Sequence, residues 1–273
     1  MPLVLLFGVA LLLLGWLVGE PAFLRWRRGR SASRPFPAPW RSVLQRRVPY
    51  VKQLPVDLQL QLKRRIQVFL AEKPFIGCAG LKITDEVRVT IAAQACLLLL
   101  NRPDHCFPQL RQILVYPGAF VVNRVHAGSA GVLQEQRQVL SGESWSQGQV
   151  ILSWEDTLEG AAAPADGRNV VLHEFAHQLD QETGSANGAP RLPGRHRYAR
   201  WSRVLGAEFE RLRALAQAGQ PTLLSPYGAS DPAEFFAVAT EVFFEQAPRL
   251  AAESPALYRE LSGFYRVDPL SWG

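Results

Sequence analysis

The segment NVVLHEFAHQLD at 169–180 constrains this chain more than any other. Its apolar residues recur with a helical period, and the pattern predicts a helix over Asn169–Leu179. Two histidines four residues apart project from one face of such a helix, so the nitrogens of His173 and His177 can converge on a single ion about 2 Å away. Glu174 follows the first histidine and points to the side of that ion, where a carboxylate can take a proton from an attacking water. The chain has five histidines, and two of them fall on this otherwise apolar helix. Buried imidazoles need polar partners, and one zinc ion satisfies both. HExxH in a helical context is thus the signature of a zinc peptidase with Glu174 as general base.

Such an ion needs a third protein ligand and an open fourth position. The extended pattern that places a third histidine six residues after the second fails, because Asp180 stands where glycine is required and Thr183 where the histidine would be. A carboxylate on a later helix is the alternative. Asp231-Pro232 has the form of a helix start, and the helix it opens carries Glu234 and Glu241, seven residues apart on one face. Spacing does not separate these two as ligands, and Glu234 could equally complete a capping box. Asp180 can orient the His177 imidazole through its second nitrogen or bind backbone at the helix end. His105, His126 and His196 lie outside any ligand spacing.

The rest of the chain reads as an α+β domain, mainly helical with a small mixed sheet. Helices are expected from Val56 to about Lys73 and from about Asp85 to Asn101. Short β-branched runs, ILVY at 113–116 and QVILSW at 149–154, predict strands. Cys78, Cys96 and Cys106 are too few and too irregular for a disulfide scaffold and are expected to be reduced thiols.

Charge is concentrated at the amino end. Residues 1–52 hold nine basic residues against Glu20, a net +8, which leaves 21 bases and 23 acids in the remaining 221 residues, a net −2. Direct nucleic-acid binding by the folded part is therefore not expected. The basic cluster follows an uncharged run of eighteen residues, Pro2–Gly19, long enough to cross a hydrocarbon core. These features predict a transmembrane anchor at 1–20, a basic Pro/Arg-rich juxtamembrane linker at 21–52 and the catalytic domain at 53–273, held on the cytoplasmic side of a bacterial inner membrane. Pro35, Pro37, Pro39 and Pro49 argue against regular helix between Ser31 and Pro55.

Four segments, LSGE at 140–143, LSW at 152–154, HEFAHQLD at 173–180 and YGASDPAEFFAV at 227–238, together with the tail ending in FYRVDP, resemble the Mlc titration factor A family of bacterial zinc metallopeptidases. That family is distantly similar to the catalytic domain of anthrax lethal factor. The resemblance covers about Pro49 to Pro269 and implies a zincin-like domain holding one Zn2+. It implies Glu234 as the third ligand, with Glu241 second in line, and gives Tyr227 a role at the substrate carbonyl oxygen. The implied partners are a peptide or protein substrate and a transcriptional repressor similar to Mlc, bound in the control of glucose uptake.

Overall fold

The computed structural model describes residues 19–102, 106–127, 133–140, 142–145, 148–162 and 165–272. The first described helix, α1 (residues 19–32), is followed by α2 (Ala38–Arg47), a 3-10 turn at Pro49–Gln53, α3 (Val56–Glu72) and α4 (Asp85–Leu97). The strands are β1 (Phe75–Gly77), β2 (Gln112–Tyr116), β3 (Phe120–Ala127), β4 (Leu133–Leu140), β5 (Gly142–Trp145) and β6 (Gln149–Ser153). Then come α5 (Trp154–Ala162), α6 (Val170–Asp180), α7 (Arg195–Gln217), α8 (Pro232–Glu245), α9 (Ala247–Glu253) and α10 (Pro255–Tyr265).

The sheet is small and mixed, as expected, with order β1-β2-β6-β5. The β1–β2 and β2–β6 pairs are parallel, while β5 runs antiparallel to β6 and pairs Gly142 with Leu152. Strands β3 and β4 form a separate antiparallel hairpin. Alternation along β2 buries Ile113 and Val115 against the helices, and β6 buries Val150 and Leu152.

Helix α6 sits in the middle of the core. Val171, Leu172, Phe175, Ala176 and Leu179 are at most 1% exposed, and Phe175 meets Phe107 at 4.8 Å and Phe69 at 5.7 Å between ring centroids. Each such side chain contributes roughly 1.5–3 kcal/mol by leaving water, so the helix bearing the two histidines is among the best-anchored elements. Helix α8 packs across it and is apolar nearly all round, burying Phe235, Phe236, Val238, Val242 and Phe243.

Two expectations are corrected. Among the described residues no helix is long and apolar enough to cross a membrane. The described residues form an α+β fold in which no helix supports the expected transmembrane anchor or the inner-membrane placement that rested on it. The apolar run itself lies, except for Gly19, outside the described residues, and the helix that is described, α1, carries Glu20, Arg25, Arg27, Arg28 and Arg30. Arg28 makes a bidentate pair with Glu72 on α3, at 2.7 and 2.9 Å. The segment expected to be irregular also folds: α2 and the following 3-10 turn bury Val43, Leu44, Val48, Val51 and Leu54. The prolines do not oppose this, since Pro39 lies in the first turn of α2 and Pro49 opens the 3-10 turn, where a missing N–H leaves no hydrogen bond unmade.

Candidate metal centre

Two capped helix starts set the geometry. Asn169 caps α6, its side chain accepting from the Leu172 N–H at 3.0 Å. Asp231 caps α8, accepting from the Ala233 and Glu234 N–H groups at 2.8 and 3.0 Å, with Pro232 at the first helical position. The Glu234 carboxylate reaches across to α6.

His173, His177 and Glu234 each offer a ligand atom, and the three atoms lie within 4.8 Å of one another. Glu234 Oε2 is 2.9 Å from His173 Nε2 and 3.4 Å from His177 Nε2. The two rings stand edge to face, 4.9 Å apart. Two imidazole nitrogens and one carboxylate oxygen, largely buried and drawn from two rigid helices, are a donor set that suits a divalent metal ion such as zinc.

The two glutamates separated by two turns of α8 take opposite nitrogens of the same ring. Glu241 Oε1 lies 2.8 Å from His173 Nδ1, on the far side of the imidazole from Glu234, and its other oxygen accepts the Asn169 N–H. Glu241 is thus placed to fix the ring orientation of His173, the usual position of a carboxylate behind a ligating histidine. Spacing left it level with Glu234 as a candidate ligand, because spacing along α8 carries no information about how α6 crosses it.

Of the two readings open for Asp180, the backbone one matches its contacts. Its Oδ2 accepts the Asn187 and Gly188 N–H groups at 2.8 and 2.7 Å, pinning the loop after α6, while Oδ1 and His177 Nδ1 are both buried without a hydrogen-bond partner. Tyr227, on the 3-10 turn Pro226–Ala229, is half exposed with its ring 6.0 Å from that of His173. His196 lies on α7 outside the cluster, His105 lies outside the described residues, and nothing is described of the His126 side chain.

Electrostatics follow from burial and from this pairing. Glu174 is 5% exposed, and burial pushes its carboxyl up to about 7, with His173 and His177 pulling down and Glu234 and Glu241 adding to the rise. Its Oε2 has no hydrogen-bond partner. Burial alone would lower the pKa of His173, but hydrogen bonds with Glu234 and Glu241 raise it well above the usual imidazole value. Glu234 moves the other way: burial raises it, and the two histidines hold it far below the carboxylate range. Without metal, His173 stands between Glu234 and Glu241, whose hydrogen bonds favour its protonated form.

A residue that sequence reading left without a role closes the site. Strand β5 passes so near Glu174 that a Cβ at Gly142 would come within 2.6 Å of Glu174 Oε1 and of Val170. His173, Glu174 and Tyr227 line a cavity of about 410 Å3 that runs beneath Gly142 to α5 and to the turn before α6.

The chain is similar to known proteins along most of its length. The chain is 40% identical over 271 residues to the uncharacterized protein slr2042 of Synechocystis sp., covering 99% of this chain and 98% of that one. It is 34% identical over 236 residues to Mlc titration factor A of Klebsiella pneumoniae subsp. pneumoniae, covering 85% and 87% of the two chains. Against Mlc titration factor A of Escherichia fergusonii the identity is 32% over 251 residues, or 90% and 93%. Residues 23–266 match the model of the glucose-regulated metallo-peptidase M90 family, and the chain belongs to that family.

Proposed function

We propose that the protein is a zinc-dependent peptidase, with one ion held by His173, His177 and Glu234. The observation that carries this reading is the convergence of those three ligand atoms beside a buried carboxylate whose second oxygen has no partner. When bound, zinc supplies Lewis acidity, polarising a carbonyl and making water a better acid. Glu174 removes a proton from the attacking water and returns it to the leaving amine. The Tyr227 phenol donates to the carbonyl oxygen as charge develops there. Glu241 holds the His173 ring in register. The cavity in front of Glu174 receives part of a peptide substrate.

Glu174→Gln tests the assignment. Metal analysis should find one zinc per chain in both proteins, while hydrolysis of a peptide library falls by at least about a thousandfold in the variant. A variant that binds zinc and cleaves as fast as the parent would refute the base assignment.

A second reading rests on the name shared by several relatives, Mlc titration factor A. In that reading the protein also binds a transcriptional repressor similar to Mlc. Binding of this kind should survive Glu174→Gln and chelation, whereas hydrolysis should not.

A further inference from the structure

A second cavity, of about 170 Å3, shares no lining residue with the one in front of Glu174. Its walls include Leu172 on α6, Phe244 and Glu245 at the end of α8, Tyr50 on the 3-10 turn Pro49–Gln53, and Leu270 and Trp272 near the carboxyl end. Glu245 stands between the two spaces. Its oxygens accept the Gly167 N–H at 3.1 Å and the Asn169 side-chain amide at 3.0 Å, and both of those residues line the other cavity.

Two groups in these walls are donors without a use. The Tyr50 hydroxyl and the Trp272 indole N–H are both buried, and neither has a hydrogen-bond partner among the described residues. The Trp272 ring lies against Phe244, 6.1 Å between centroids. Buried polar groups are nearly always satisfied, and an indole N–H can only donate, so a molecule that completes this site brings an acceptor. Charge is disfavoured in either sign. No lysine, arginine or histidine is among the described lining residues, so an anion finds no counter-charge. The one carboxyl, Glu245, has both oxygens engaged, and burial above all pushes it up to about 9, so it offers a cation no anchor at neutral pH.

We infer that this cavity binds a small neutral molecule of about one ring, with a carbonyl oxygen as acceptor for the Tyr50 and Trp272 donors. The inference goes beyond the peptidase reading and does not depend on it. A space of about 170 Å3 is the size that holds a six-membered ring with a small substituent, and Leu172, Phe244 and Leu270 supply apolar contact for its body.

The test uses the full chain labelled with nitrogen-15 and a set of single-ring probes: acetophenone, α-methylstyrene, in which a methylene replaces the oxygen, benzoate and benzylammonium. Binding is read from the indole N–H resonance of Trp272, identified as the one missing in Trp272→Phe. Acetophenone should move that resonance saturably and bind about fivefold or more tighter than α-methylstyrene and than either ion. In Tyr50→Phe acetophenone should lose about fivefold in affinity while α-methylstyrene keeps its own. Because the hydroxyl has no partner to lose, Tyr50→Phe should melt within about 2 °C of the parent or above it. No saturable movement of the Trp272 resonance, equal affinity for acetophenone and α-methylstyrene, tighter binding of either ion, or an acetophenone affinity unchanged in Tyr50→Phe would each overturn the inference. So would a Tyr50→Phe variant that melts well below the parent, since its hydroxyl would then be satisfied already, by the protein or by water.

Discussion

His173 bears a different carboxylate on each ring nitrogen, and its charge state follows from that pairing. The imidazolium is favoured in the folded metal-free protein, so zinc must displace a proton to bind Nε2. Metal affinity is therefore predicted to climb with pH until the raised His173 pKa is passed. Competition titrations against a calibrated chelator between pH 6 and 8.5 measure this, and a flat profile would contradict it. The stability of the metal-free protein should move in the opposite direction. The Glu174 carboxyl retains its proton up to about 7 when folded, against an ordinary value of 4.5, so folding binds a proton between those limits and stability falls as pH rises through them. The shift corresponds to at most about 3 kcal/mol. His173 adds a fall of the same sign, beginning near 6.5 and ending at its raised folded value. Urea midpoints at pH 5.5 and 8 should show the loss, and Glu174→Gln should remove the part below pH 7.

At the scale of elements, the site depends on three approaches: α8 across α6, β5 over Glu174, and the loop pinned by Asp180. At β5, Gly142 leaves no room for a methyl group. Gly142→Ala is predicted to displace Glu174, destabilising the fold by about 1–3 kcal/mol and lowering hydrolysis well beyond what the stability loss explains. Thermal melts beside kinetics on the folded fraction separate the two effects. Local chemistry wrote much of this legibly. The cap at Asn169, the histidine spacing and the Asp231-Pro232 start are all readable without a fold, and the strands at 112–116 and 149–153 announced themselves by their β-branched runs. The choice between Glu234 and Glu241 was not readable, since residues two helical turns apart share a face and only the crossing of α8 over α6 gives each its own nitrogen. Asp180 was equally undecidable, because its backbone partners come from a loop whose path no periodicity encodes.

For the whole molecule, the segment 38–54 contributes to the core. Val43, Leu44, Val48, Val51 and Leu54 are at most 5% exposed, and each contributes roughly 1.5–3 kcal/mol of burial before entropy is counted. A fragment beginning at Val56 is predicted to lose most of the folding stability of the chain, visible as a collapsed urea midpoint or failure to accumulate as folded protein. A fragment beginning at Ala38 should retain it, apart from the Arg28–Glu72 link. Proline content concealed this, because its effect depends on whether the ring falls in a first helical turn or in an interior one. The charge asymmetry read correctly as an excess of arginine at the amino end, yet gave no hint that α1 would be tied to α3 by one of those arginines. The measurement that bears most directly on the metal centre is zinc stoichiometry and affinity in Glu234→Gln and Glu241→Gln beside the parent. The geometry predicts that Glu234→Gln weakens zinc by at least about a hundredfold, and that Glu241→Gln still binds one ion per chain with a loss of about tenfold to a hundredfold. Full zinc retention in Glu234→Gln together with its loss in Glu241→Gln would contradict the assignment and place the third ligand on the other glutamate.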